Sequence, residues 1–304
     1  MTPIAFVLIF ASAAFHATWN MIVKKSRTGL AMYATLCTVG TAWSFAVRFF
    51  TPLSFFSQPP AFYWCMVLML LSELSYAYGL LAAYRALDMS VAYPIMRSIP
   101  ILMLAVVTAA FGLGKPLSAH AFFGMLMAFS GCLLIPLGRF SDFRPARYLD
   151  KSYIYVLFVA IGTAGYTLSD SQAQKVMIEA AHEAGIEHSA TYFSVVYYSF
   201  RSFLLTIVLW AVIFCGREGR ADALALWRGR SWTPIVAGVC SSLTYILVLV
   251  AMHFVTNVAF VQAFRQMGLL FGLAEAVFIL KEKCSAPKLL GTALILAGLA
   301  ISVL

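Results

Sequence analysis

Charge is what this sequence has least of. Of its 304 residues only 11% are Asp, Glu, Lys or Arg, while 62% are hydrophobic. A soluble domain carries about a quarter charged residues. In water, a fold of this composition would expose more apolar surface than folded monomers tolerate. Long hydrophilic stretches are missing too. Those at 139–152, 172–189 and 215–231 are too short for a separate soluble domain. Six cysteines (Cys37, Cys65, Cys132, Cys215, Cys240 and Cys284) lie in or beside apolar runs with no C-x-x-C pair. That spacing excludes a zinc site or a compact disulfide framework.

Catalytic constellations are equally absent. There is no Ser/His/Asp set, Gly-rich phosphate loop or paired-carboxylate signature, so neither an enzyme nor a cofactor is expected. His182 and His188 are spaced i, i+6 and point to different helix faces, unlike the i, i+4 pair of a zinc helix. The net charge of +9 does not indicate nucleic acid as a partner, because most basic residues sit in short gaps between apolar runs. The N-terminus lacks a basic n-region and a small-residue cleavage site, so its apolar run reads as a retained membrane helix.

What is present is a succession of apolar runs. A hydrocarbon core of roughly 30 Å needs about 20 helical residues. Ten such runs fall near 3–23, 30–50, 61–83, 91–111, 118–138, 153–171, 190–214, 232–253, 256–280 and 285–304. They are continuously apolar, without the alternation of membrane strands. The expected fold is all-α and integral to a membrane. Fifteen Lys and Arg follow the odd-numbered runs, against Arg48, Lys115 and Lys175 on the other side. The positive-inside rule then places the odd loops in the cytoplasm and both termini outside.

The halves repeat. His16, Trp19, Asn20 and Lys25 fall at the offset of Tyr166, Ser169, Asp170 and Lys175; Arg97 and Lys115 match Arg265 and Lys283; Gly124 and Gly131 match Gly291 and Gly298. Five helices per copy is odd, so the second copy enters the membrane upside down. The expected domains are 1–138 and 153–304, joined by loop 139–152. Inverted repeats are a transporter signature, with the substrate between them near the midplane.

The run from Tyr84 to Pro100, then Gly112-Leu-Gly-Lys-Pro116 and Gly124…Gly131, resembles an EamA-type half of the drug/metabolite transporter superfamily. His16-Ala-Thr-Trp-Asn20 is similar to the opening of one bacterial branch. The usual Gly-Glu after the fourth helix is Gly114-Lys115 here, with an acid kept in Lys281-Glu282-Lys283 of the second copy. The resemblance implies a ten-helix secondary carrier in a bacterial inner membrane, without naming its substrate. A membrane-embedded enzyme acting on lipid head groups and a non-transporting scaffold are the alternatives.

Ionisable groups inside membrane helices are functional candidates by default. Arg97 and Arg265 would hold a carboxylate or phosphate by bidentate hydrogen bonds; pairing with Glu73, Glu275 or helix-end carbonyls is the other reading. His16, Trp19 and Asn20 form one helical stripe, with Tyr166, Ser169 and Asp170 on the equivalent helix; both are read as cavity walls or as packing contacts. Tyr76 shares a face with Glu73. Glu73 and Glu275 are candidate proton-coupling groups, unless an adjacent arginine holds them ionised. His253 reads as a helix-end cap or interface residue. Expected partners are a small-molecule substrate, the bilayer and, as an open alternative, a second copy in a homodimer.

Overall fold

In the computed structural model, residues 1–24, 29–87, 89–143, 151–229, 231–278 and 285–304 are described. All regular secondary structure among them is helical. The elements are α1 (Pro3–Lys24), α2 (Leu30–Ser44), α3 (Pro60–Ala86), α4 (Met89–Phe111), α5 (Ala119–Leu134), α6 (Tyr153–Glu183), α7 (Ala190–Cys215), α8 (Arg217–Arg228), α9 (Thr233–Met252), α10 (Val258–Phe264), α11 (Met267–Phe278) and α12 (Ala286–Ser302), with short 3₁₀ turns after α2 and α5. Five stretches are long and apolar enough to cross a membrane: Leu30–Phe49, Pro60–Ala86, Pro94–Phe111, Ala190–Cys215 and Thr233–Met252. Large apolar side chains such as Trp64, Phe50 and Phe56 point outward. Water would penalise such a surface, whereas hydrocarbon would not.

Three elements differ from the apolar runs. The sixth run continues through the polar stretch as one 31-residue helix, α6. Its later polar residues Asp170 and Gln174 are buried among other helices, so the helix need not end where its hydropathy falls. The polar stretch 215–231 carries α8, an amphipathic helix that buries Ala223 against α2 and α7. The ninth run is interrupted at Arg265-Gln266 and yields α10 and α11. There the backbone tightens to i, i+3 hydrogen bonds, Gln266 N–H to the Ala263 carbonyl and Gly268 N–H to the Arg265 carbonyl.

Close helix contacts run between the two halves of the sequence. α5 and α12 pack antiparallel through two glycine pairs, Gly124 against Gly298 and Gly131 against Gly291. A Cβ on any of the four would strike the partner backbone. α3 and α6 are as close: Gly79 faces the backbone at 155–159, and Gly162 faces that of Ser72 and Tyr76. α1 packs on α9, where Ser12 donates to the Thr244 carbonyl at 2.9 Å. α2 packs on α7 through Thr41–Thr206 at 3.0 Å and Trp210 Nε1 to Thr38 at 2.8 Å. α4 crosses α10.

Both chain ends lie near one end of the bundle. Thr2 donates to the Phe254 carbonyl, and Asn257 caps α10 while reaching Thr108 at 3.0 Å and the Lys115 carbonyl at 3.2 Å. At the opposite end, Ser285 donates to the Leu137 carbonyl.

Candidate functional site

Two polar clusters occupy the interior, separated by tyrosines. The first is centred on Arg201 of α7, which is 4% exposed. Its Nη2 donates to Glu73 Oε1 of α3. Its Nε donates to both Asp170 oxygens of α6, at 3.2 and 3.1 Å. Tyr197 donates to Asp170 Oδ1 at 2.6 Å, Tyr245 of α9 donates to Oδ2, and Tyr33 of α2 donates to Glu73 Oε2 at 2.9 Å. The guanidinium also lies over the Tyr245 ring, 4.1 Å from its centroid. Five helices therefore converge on one cation. Helices can approach this closely because Gly162 of α6 admits the α3 backbone and Gly165 the Ser72 side chain, one to two turns from Asp170.

The second cluster lies where α4 crosses the α10–α11 break. Arg97 Nη2 donates to the carbonyl of Arg265 at 2.9 Å, and Gln266 Nε2 donates back to the carbonyl of Arg97 at 3.0 Å. The brace is reciprocal: each strand of the crossing satisfies a carbonyl of the other. Arg97 Nη1 also donates to His16 Nε2 of α1 at 2.6 Å. A guanidinium has no acceptor, so that ring nitrogen must accept. Trp19 stands edge-on to the His16 ring at 5.1 Å. Arg265 Nη1 donates to Gln262 at 3.3 Å, and its guanidinium faces the phenols of Tyr166, Tyr245 and Tyr76. Among the described residues, no carboxylate lies within 4 Å of Arg265. Arg97, Arg265 and His16 keep partial exposure, unlike the sealed Arg201.

Tyrosines connect the clusters. Tyr76 meets Tyr166 edge-on at 6.0 Å, and Tyr166 meets Tyr245 at 6.2 Å. Tyr245 touches Asp170 on one side and faces Arg265 on the other.

The residues singled out from the sequence are thus distributed over both clusters. Arg97, Arg265, His16 and Trp19 come together, and Tyr76 and Tyr166 form the wall beside them. Asp170 is fully buried against Arg201, and Glu73 is in the same network at 2% exposure. Glu73 does have an arginine beside it. That arginine is Arg201, not Arg97 or Arg265. The side chains of Asn20 and Glu275, and the stretch Lys281-Glu282-Lys283, lie outside the described residues. His253 caps α9 and contacts Gln174 and Ser194, both at 3.1 Å. No group of metal-ligating side chains occurs among the described residues.

Arg201 is the residue that the sequence reading missed. It has no matching basic residue in the first half, so the repeat did not expose it. Subtraction would have: 21 basic residues less the 18 assigned to loops leaves three over, Arg97, Arg201 and Arg265.

No protein-family model matches the sequence, and no curated protein matches it. Among solved structures, 28 chains match. One, described as "Crystal structure of protein", superposes with a TM-score of 0.63 over 98% of this chain and 96% of its own, at 15% identity. At that identity the likeness shows the fold alone.

Proposed function

We propose that the chain is a ten-helix secondary transporter, built of two inverted five-helix repeats, that moves a small anionic metabolite by alternating access. In this reading α10 and α11 together make the ninth span, and α8 lies outside the count.

The packing supports the repeat. Exchanging the halves maps α1 onto α6 and α9 onto α3, so the α1–α9 contact becomes the α6–α3 contact. The pairs α2–α7, α4–α10 and α5–α12 map onto themselves. A two-fold axis in the membrane plane generates this pattern, with a substrate site between the copies. The proposal keeps the chain among EamA-type carriers of the drug/metabolite transporter superfamily, on the motifs quoted above.

The observation that carries the function is the crossing of Arg97 and Arg265. These equivalent arginines of the two halves meet at one point, remain partly exposed, and have a helix break beside them. Interrupted helices in transporters mark the substrate site, where backbone groups and guanidinium forks can replace water around an anion. His16, Trp19, Tyr76 and Tyr166 would form its walls. Asp170 would act behind that wall, through Tyr245, and not on the substrate. A lipid-head-group enzyme would need a nucleophile or metal set at one membrane face; the converging charges instead lie within apolar helices.

The test is a thermal-shift series on purified protein with dicarboxylates, amino acids and phosphorylated metabolites. Binding to the folded state raises its stability by mass action, by about 2.7 kcal/mol at a hundredfold excess over Kd. An anionic compound is expected to raise the melting temperature of wild type, and Arg265→Ala to remove that shift. A ligand shift unchanged in both Arg97→Ala and Arg265→Ala would sink the proposal.

A further inference from the structure

The Arg201 network is one cation short. A single guanidinium faces two carboxylates, Glu73 and Asp170, and all three groups are at least 95% buried. Tyr33 and Cys37 of α2 and Tyr76 of α3 surround Glu73, alongside Arg201 itself. Tyr197 of α7, Tyr245 of α9 and Cys65 of α3 surround Asp170. Among the described residues these neighbours add no second positive charge; the next cation, Arg265, stands beyond the Tyr245 and Tyr166 rings and bonds neither acid. With both acids ionised, the network would hold one uncompensated negative charge inside the bundle. Burying such a charge is costly, and a bound proton removes the cost.

We propose that the Glu73–Arg201–Asp170 network is a proton-binding site in which Glu73 is the carrier. The choice between the acids follows from their donors. Asp170 accepts from Tyr197, from Tyr245 and twice from Arg201 Nε. Glu73 accepts from only Arg201 Nη2 and Tyr33. With four donor contacts against two, Asp170 is the acid matched to Arg201, and Glu73 is the one left over. The step balances simply: a hydronium ion from the aqueous phase gives its proton to Glu73 Oε2 and leaves as water, Glu73 becomes a neutral carboxylic acid, and the Tyr33 hydroxyl turns from donor to acceptor. Arg201 and Asp170 remain as a neutral pair. A metal cation fits less well, because every carboxylate oxygen already faces an N–H or O–H donor.

The site deepens the transporter reading, and its purpose there rests on that reading. Tyr245 and Tyr166 stand between the network and Arg265. A proton arriving at Glu73 would loosen Arg201, which packs on both rings, and so alter the wall of the anion site.

The experiment is infrared difference spectroscopy of the purified protein in lipid nanodiscs, titrated in pH without any substrate. Wild type is expected to show the C=O stretch of one neutral carboxylic acid that appears on acidification and shifts in D₂O. Glu73→Gln should lose it, and Glu73→Asp should retain it at a displaced frequency. Asp170→Asn should also lose it, since one acid then faces one guanidinium. Circular dichroism monitors the fold of each variant. Absence of the band from wild type, or its persistence unchanged in Glu73→Gln, overturns the proposal. Because no substrate is added, failure here is distinct from failure of the anion-binding reading.

Discussion

At the scale of single residues, Arg201 shows how much depends on one buried cation. Its removal would leave Glu73 and Asp170 facing each other through apolar surroundings. Truncating one member of a buried ion network costs about 3–5 kcal/mol, because the remaining charge is uncompensated. Arg201→Ala should therefore lower the melting temperature sharply or abolish recovery of folded protein. Replacing all three members with apolar residues of similar volume, as in the triple variant Glu73→Leu, Asp170→Leu and Arg201→Met, should restore folding while losing any proton signal. Detergent-solubilised size-exclusion profiles and melting curves of the two variants would check this. Equal loss in both would mean that the network contributes shape, not charge balance. Arg265 differs in kind. It is only partly buried and held by neutral groups, so Arg265→Ala should affect ligand binding far more than stability.

At the scale of elements, small residues and caps decide which helices meet. The α5–α12 contact exists because Gly131 and Gly291 present backbone to backbone. Gly131→Leu would push the helices apart, and overpacking of this kind costs about 1–3 kcal/mol. A lower melting temperature, with ligand shifts retained if the protein still folds, is the expected result, since the contact is remote from the arginine crossing. The short helix α10 depends on its cap. Asn257 accepts from the Ala259 N–H at 2.9 Å and ties the α9–α10 turn to α4 and to the loop that follows it. Asn257→Ala should cost about 1 kcal/mol for the cap alone, read as a reduced melting temperature; an unchanged value would show that the cap contributes little. The glycine spacing of these helices was visible in the chain. The break at Arg265-Gln266 was not visible, because no proline marks it and Gly268 beside it is one of many glycines in the apolar runs. It is held instead by hydrogen bonds from α4, a partner 168 residues away.

At the scale of the whole molecule, the proposed topology is a statement about sidedness. An even number of spans puts both termini on one side, in keeping with Thr2 on the Phe254 carbonyl and Ser302 on Gly124, near the loop where Lys115 meets Thr256. In that topology the basic loops fall on the opposite side, which the positive-inside rule makes cytoplasmic. A C-terminal fusion to a phosphatase active only outside the cytoplasm should be active, and one to a fluorescent protein that matures only inside should be dark. The reverse pair of results would invert the orientation and leave the fold unchanged.

What the sequence determined by itself was everything that depends on composition along one dimension: the helical class, the number and place of the apolar runs, the basic asymmetry of the loops, and the glycine positions. Hydropathy and helical period are local quantities, so they can be read without knowing any neighbour. Arg97 and Arg265 were legible for the same reason, as charges standing within apolar runs at matching places. Only the tertiary structure decided which acid meets which base. Glu73 could have joined either of those arginines; it joined Arg201, because the close α3–α6 contact and the position of α7 bring those side chains together. Asp170 moved from the expected substrate wall to the sealed network by the same packing. A side chain's role in a low-dielectric interior is set by the charges within a few ångströms, and in this chain those charges come from helices 31 to 128 residues apart.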